Sequence, residues 1–171
     1  MSKYKAYICE GGAETAIMDL LLDQNKLIFS RDELLEGEIL RTRKGKEFET
    51  RYLKKNFSGK ITVYRILDSR RENFKISKAY QQKVEVVNVI TAPEIEMLII
   101  CNEGKYHDFE KKKNMSPSEY CKSILKMKNV KSVSFVKEYF ADVSILEESL
   151  HEYKRISKVR KSEKTIYDLL R

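Results

Sequence analysis

The sequence predicts an α/β fold, in which an open, mainly parallel four-stranded sheet is flanked by helices and followed by a C-terminal helical extension. Short apolar stretches rich in β-branched and aromatic residues alternate with stretches whose apolar residues recur at helical spacing. This alternation implies parallel strands joined by right-handed βαβ crossovers. Strand signals stop after about residue 104. We therefore expect an α/β domain over residues 1–104 and a helical extension over 105–171, packed on the same domain.

Four segments are expected to form the strands, namely residues 4–9 (YKAYIC), 26–30 (KLIFS), 61–67 (ITVYRIL) and 84–90 (VEVVNVI). The third is the clearest, because its β-branched and aromatic residues end abruptly in the polar cluster DSRREN. The fourth ends at Thr91, where a threonine, an alanine and a proline follow one another.

Helices are expected between these strands. AETAIMDLLLDQ, residues 13–24, places its apolar side chains on one helical face. Ser30 and Glu33 have the spacing of a capping box, which predicts a helix from Ser30 towards the basic stretch. FKISKAYQQK, residues 74–83, is also helix-like, and EIEMLIICNEG, residues 94–104, follows a proline at a position where a helix tolerates one.

The extension is expected to be helical throughout. SPSEY, residues 116–120, has the serine, proline and glutamate of a capped helix start. VSFVKEYF and DVSILEESLHEYKRISKV follow with helical spacing. Apolar side chains of this region are expected either in the monomer core or at a homodimer contact, with core packing favoured: Phe135, Tyr139, Phe140, Ile145, Leu146 and Leu150.

Composition predicts a soluble globular protein, with 42% hydrophobic and 35% charged residues in a chain of 171. No apolar run approaches the roughly 20 residues of a membrane helix, and the first residues lack a secretory-signal pattern. We therefore expect a cytoplasmic protein that does not bind membranes. Cys9, Cys101 and Cys121 form no CxxC pair, so each is expected to be a small buried side chain.

The formal net charge of +8 favours nucleic acid or another polyanion as partner. Residues 41–60 and 153–164 contain far more Lys and Arg than acid. Two interpretations stay open for these segments. They form either solvated helix faces or a phosphate-binding surface.

Acidic residues follow three of the four predicted strands. Glu10 ends the first, Asp68 ends the third, and Glu94 and Glu96 follow the fourth, while Glu14 lies one helical turn beyond Glu10. In parallel α/β sheets reactive groups gather at the carboxyl ends of the strands, and Mg²⁺ prefers carboxylate oxygens. Taken singly, each acid could instead cap a helix or interact with a helix dipole.

The order CEGGAE (residues 9–14), an apolar strand ending in LD, and TAPEIEML (residues 91–98) resembles the Toprim domain. The resemblance is closest to the RloB-type and OLD-type (overcoming lysogenization defect) Toprim nucleases, and it covers roughly residues 3–104. It implies metal-dependent hydrolysis of phosphodiesters or phosphoryl transfer, in a setting such as phage defence. It also implies a partner ATPase or another partner protein.

The resemblance assigns roles to individual acids. Glu10 would be a metal ligand or general acid/base, Asp68 the first ligand of Mg²⁺ or Mn²⁺, and Glu14 with Glu96 the ligands of a second metal. Glu10 and Asp68 are thus the expected catalytic residues. Glu94 is an outside candidate.

One departure from the family pattern bears on catalysis. The family has Asp-x-Asp where this chain has Asp68-Ser69-Arg70, with Glu72 nearby. Arg70 either binds a phosphate oxygen or marks a site that has lost catalysis. The cations expected to bind phosphate or nucleic acid are Arg70, Arg71, Arg43, Lys44, Lys54 and Lys55.

Two hypotheses follow, and the sequence leaves both open. The first is a Mg²⁺-dependent Toprim-like nuclease or phosphotransferase acting on DNA or RNA. The second is a catalytically degenerate Toprim-like module that binds nucleic acid or a partner protein. The first requires the acids to meet in one pocket. It would be contradicted by carboxylates directed into bulk water, or by an internal arginine paired with Glu10.

Overall fold

A three-stranded parallel sheet forms the centre of the protein, so the α/β class predicted from the sequence is confirmed. The strands are β1 (Tyr4–Cys9), β2 (Ile61–Leu67) and β3 (Val84–Ile90), in that order across the sheet. All three have the bounds that the sequence predicts. The structure, a computed structural model, describes residues 4–54, 59–68, 74–91, 95–157, 159–160 and 163–171.

The strand predicted over residues 26–30 is not formed. Leu27 and Phe29 are buried and Ile28 is exposed, so the segment does alternate as a strand would. The Phe29 ring stacks on the Tyr7 ring at 4.0 Å between centroids. Leu27, however, makes only an isolated antiparallel bridge, to Leu170. The alternation therefore reflects packing onto the core and not membership of the sheet.

The edge of β1 is occupied by a different segment, which sequence patterns did not identify. Leu34 and Leu40 form isolated parallel bridges with Lys5 and Ile8. The Leu40 N–H donates to the Tyr7 carbonyl at 2.7 Å. This pairing also ends the helix predicted from Ser30. The capping box is present, with the Ser30 N–H donating to Glu33, but only one 3₁₀ turn follows before the backbone extends.

The helices lie on both sides of the sheet and in the extension. Those predicted after the first strand, after Pro93 and within the extension are confirmed, some in shorter form. The α-helices are α1 (Gly12–Asp23), α2 (Gly45–Phe48, continued by a π-helical turn Glu49–Leu53), α3 (Glu96–Asn102), α4 (Tyr106–Lys111), α5 (Pro117–Ser123), α6 (Val133–Tyr139) and α7 (Val143–Ile156). Short 3₁₀ turns span Arg31–Glu33, Leu35–Gly37 and Ile166–Leu169.

The helix predicted over residues 74–83 is absent. Residues 74–77 are irregular and residues 78–83 form turns. The backbone here is fixed by α2. A Cβ atom on Gly45 would lie 2.1 Å from the Lys75 carbonyl oxygen, and the Ser77 N–H donates to the Glu49 carboxylate. These tertiary contacts replace the hydrogen bonds that a helix would have made.

Two hydrophobic clusters cover the two faces of the sheet. The first contains Tyr7, Cys9 and Ile66 of the strands, packed against α1, α3, α5, α6 and α7. The second contains Ala6, Ile8 and Val63, packed against α2, the π-helical turn and residues 74–80. Alternate strand residues therefore enter opposite clusters, as expected for a sheet covered on both faces.

The apolar side chains of the extension mainly serve the first cluster. Phe140, Leu146 and Leu150 are buried within it, and Phe135, Tyr139 and Ile145 pack against it. Core packing, the favoured alternative, is therefore confirmed for this set. All three cysteines are buried and free, as predicted. No helix in the described part of the chain is long and apolar enough to cross a membrane.

Candidate functional site

The carboxyl edge of the sheet carries the acids that the sequence singled out. Glu10 follows β1 and Asp68 follows β2, and these strands are neighbours in which Cys9, the last residue of β1, is in register with Ile66. Thr91 follows β3, and both its N–H and its hydroxyl donate to the Leu67 carbonyl, at 2.8 and 2.9 Å. These bonds tie the ends of β2 and β3 together. The edge is thus a continuous rim of three strand ends.

Glu10 faces an arginine inside the fold. Its Oε1 atom lies 3.9 Å from Nη2 of Arg65, and only 10% of the Glu10 side chain and 3% of the Arg65 side chain are exposed. Arg65 belongs to β2 and is in register with Ile8, so strand alternation places it and Glu10 on the second-cluster side. The guanidinium also lies over the Phe74 ring, 5.1 Å from its centroid.

Sequence reasoning missed Arg65 as a functional candidate. The one available signal was a charged residue within the otherwise apolar strand ITVYRIL. A guanidinium that is nearly excluded from water requires an anionic or hydrogen-bonding partner, and Glu10 supplies negative charge at the required place. Its carboxylate therefore lies beside a positive side chain, and a role for Glu10 in holding a metal stays a prediction.

Glu14 lies in the first turn of α1 and is buried. Its carboxylate folds back over Gly11, because a Cβ atom at that glycine would lie 2.3 Å from Glu14 Oε2. Thr15 donates its hydroxyl to the Gly11 carbonyl at 2.9 Å. The absence of a side chain at Gly11 thus leaves room for the Glu14 carboxylate in this position.

The Cys9 thiol lies near these acids. Burial raises the pKa of Cys9, and the negative charges of Glu14 and Glu10 raise it further. A raised pKa favours the neutral thiol at physiological pH. Its role is to pack in the first cluster.

Glu96 begins α3 and is fully buried, with 0% of its side chain exposed. Its Oε1 atom lies 3.2 Å from Nζ of Lys131, whose side chain is 53% exposed. Lys131 comes from the loop between α5 and α6, in which Lys126 and Asn129 have positive φ values of 59° and 58°. No local pattern in the sequence pointed to Lys131, because its partner is distant along the chain.

The predicted cationic residues are only partly at this edge. Arg43 donates to the backbone carbonyl of Glu10, so it lies at the mouth of β1. Lys44 and Lys54 are exposed near α2 and its π-helical continuation. Lys55, Arg70 and Arg71 lie outside the described residues, as do Glu72 and Glu94.

A metal site is not assembled by the described residues, in which no three acidic, histidine or cysteine side chains are close enough together to hold an ion. Asp68 is exposed, Glu10 faces Arg65, and Glu96 faces Lys131. This donor set does not fit a divalent cation, since two of its carboxylates already lie beside positive side chains. Binding of Mg²⁺ or Mn²⁺ stays a prediction from the family resemblance.

The edge thus combines buried carboxylates with cations supplied by the protein. Its exposed rim is lined by Asp68 and by Arg43, which is anchored on the Glu10 backbone. Comparison of the chain with protein-family models, with curated proteins and with solved structures finds no match.

Proposed function

We propose that the protein is a catalytically degenerate Toprim-like module that binds nucleic acid. The observation that carries this proposal is the pairing of two edge carboxylates with positive side chains, Glu10 with the buried Arg65 and Glu96 with the half-exposed Lys131. A buried carboxylate must be neutralised, by a metal or by a positive side chain. Here positive side chains lie beside both carboxylates, which supports an edge that needs no metal.

Nucleic acid is the proposed partner because the chain has a formal net charge of +8 and exposed cations beside the edge. Arg43 lies at the carboxyl end of β1, and Lys44 is the next residue in the chain. Lys and Arg bind phosphate groups without any metal and supply most of the affinity of sequence-independent binding. A partner protein, such as an ATPase, and a homodimer remain predictions from the sequence.

A second candidate is the Mg²⁺-dependent nuclease or phosphotransferase. It is favoured by the placement of Glu10 and Asp68 after neighbouring parallel strands, with Glu96 in the helix that follows the third. The cation beside Glu96 is half-exposed, since 53% of the Lys131 side chain is accessible to solvent. In this candidate the ligands would be Glu10, Glu14, Asp68 and Glu96, and the metal would polarise the scissile phosphate.

A binding and stability experiment separates the two candidates. Fluorescence anisotropy with labelled single-stranded and duplex oligonucleotides tests the proposed module. We expect the protein to bind these oligonucleotides in EDTA, which removes divalent metal ions. Thermal melts with Mg²⁺ or Mn²⁺ test the enzyme, because a ligand that binds only the folded state raises Tm. We expect equal responses from wild type, Asp68→Asn and the control Asp32→Asn, whose parent aspartate is exposed.

Two results would contradict the proposal that the protein is a catalytically degenerate module that binds nucleic acid. One is the absence of binding to every oligonucleotide tested. The other is a Tm that rises with metal in wild type and Asp32→Asn but not in Asp68→Asn. If such a rise accompanied oligonucleotide cleavage that both Glu10→Gln and Asp68→Asn abolish, the nuclease candidate would replace the module.

A further inference from the structure

The helical extension carries a second basic surface that the sequence did not single out. A groove of about 520 Å³ lies between α5 and the loop that leads to α6. Three lysines line it, Lys122, Lys128 and Lys131, together with the polar side chains of Ser118 and Asn129. We call this surface the lysine groove. None of its lining residues is acidic.

Two of the three groove lysines, Lys122 and Lys128, are available to an external anion, whereas Lys131 is paired with Glu96. Lys122 and Lys128 are exposed, and neither forms an ion pair with a residue in the described part of the chain. Like charges held along one groove repel one another unless an anion binds between them. The groove therefore favours a ligand with several negative groups over a single small anion.

One residue links the groove to the carboxyl edge of the sheet. Lys131 lines the groove, and its Nζ lies 3.2 Å from Oε1 of Glu96 at the start of α3. Val133, two residues further on, lies against the start of α1, since a Cβ atom on Gly12 would be 3.1 Å from Val133 Cγ2.

We propose that the lysine groove binds the phosphate backbone of a nucleic acid strand. This inference rests on the proposed nucleic-acid binding and adds the surface that performs it. Regularly spaced phosphates match a row of ammonium groups, which act as point charges and need no fixed orientation. The groove lies on the first-cluster side of the sheet, whereas Lys44 and Lys54 belong to the α2 region on the other side.

The test measures oligonucleotide affinity by fluorescence anisotropy across a salt series. The groove variant is Lys122→Gln/Lys128→Gln, which leaves the Lys131 ion pair intact. The matched control is Lys75→Gln/Lys78→Gln, which removes the same charge from exposed lysines in the segment that packs on the second cluster. Circular dichroism and thermal melts establish that both variants are folded.

We expect the groove variant to bind a single-stranded oligonucleotide roughly threefold to tenfold more weakly than wild type. The slope of log K against log salt should fall in magnitude by about 1.4, because each lost phosphate contact on a single strand removes about 0.7. The control should keep the wild-type slope. A smaller slope change in the groove variant than in the control would overturn the inference.

Failure of the groove assignment and failure of the proposed function give different experimental results. If wild type and both variants bind equally well, the groove assignment is wrong and nucleic-acid binding stands. If wild type binds no oligonucleotide, the proposed function fails and the groove assignment fails with it. A parallel titration with polyglutamate identifies an acidic protein partner. Groove-dependent binding to polyglutamate alone would overturn the nucleic-acid assignment.

Discussion

The carboxylate of Glu96, fully buried at the start of α3, lies 3.2 Å from the ammonium of Lys131 in the loop before α6. This contact joins the helical extension to the carboxyl edge of the sheet. Replacing Lys131 with methionine should lower the free energy of unfolding by about 1–3 kcal/mol, because Glu96 would lose a neighbouring positive charge. Half of the lysine is exposed, which keeps the effect below that of a fully buried pair.

Urea denaturation at neutral pH measures this effect. Lys128→Met is the matched control, since Lys128 lies in the same loop and has no ion pair with a described residue. Adding Glu96→Gln to Lys131→Met should restore part of the lost stability by removing the buried charge. Equal losses in Lys131→Met and Lys128→Met would show that the pair does not stabilise the fold.

The Glu10 and Arg65 pair should be strongly coupled. Arg65→Met is expected to cost about 3–5 kcal/mol, because it leaves a buried carboxylate beside an apolar side chain. Glu10→Gln is expected to cost less when Arg65 is already methionine than in wild type. A double-mutant cycle from urea denaturation should give a coupling energy of about 1–3 kcal/mol.

Arg41→Met serves as the control for arginine removal, because Arg41 is exposed and forms no ion pair with a described residue. The Arg41→Met substitution should leave the free energy of unfolding almost unchanged. Additive effects of Glu10→Gln and Arg65→Met would mean that the two side chains do not interact. In that case Glu10 would again be available as a metal ligand.

Gly45 should not tolerate a side chain. Gly45→Ala places a methyl group about 2.1 Å from the Lys75 carbonyl oxygen, so the backbone of α2 or of residues 74–77 must move. Overpacking of this kind costs about 1–3 kcal/mol. Thermal denaturation tests this, with Gly104→Asn as the control. Gly104 has φ of +63° and open space around it, a setting that asparagine accepts better than most residues.

Asp168 should make the protein sensitive to acid. Burial acts to raise its pKa, but hydrogen bonds from Lys154 and from the N–H and hydroxyl of Thr165 outweigh burial and lower the pKa. A lowered pKa in the folded state stabilises the protein above the unfolded-state pKa of about 3.9. That stability is lost as the pH falls through the folded-state pKa.

Asp168→Asn should therefore lower the free energy of unfolding by about 1 kcal/mol at neutral pH, in the range of other capping substitutions. The difference from wild type should shrink below about pH 4. Urea denaturation at a series of pH values measures both effects. Asp32→Asn provides the exposed control, and a pH-independent deficit in Asp168→Asn would exclude an electrostatic origin.

The sequence predicted the sheet better than its surroundings. β2 and β3 have the predicted bounds. β2 is buried along almost its whole length, and such strands form runs rich in β-branched residues that end sharply at polar residues. Residues 26–30 have the same local pattern, yet the edge beside β1 is taken by Leu34 and Leu40. Which segment pairs with the edge of β1 depends on the whole fold. The local sequence pattern of residues 26–30 therefore cannot predict it.

The candidate site was predictable only in part. The acids at strand ends could be located, since parallel strands end at a common edge. The positive side chains that contact these acids could not be located from the sequence. Arg65 is hidden within a strand that is otherwise apolar, and Lys131 approaches Glu96 from a loop of the extension. Both contacts depend on tertiary packing, and both change the interpretation of the acids.

The isolated bridges at the two sides of the sheet have a consequence for self-association. Leu34 and Leu40 cover β1, and Lys164 pairs with Val89 near the end of β3. Open strand edges recruit further strands and seed aggregates. Among the strand edges of the described residues, the first half of β3 is left for such recruitment, and Glu85 and Asn88 interrupt its apolar side chains. The protein should consequently resist edge-to-edge polymerisation when concentrated.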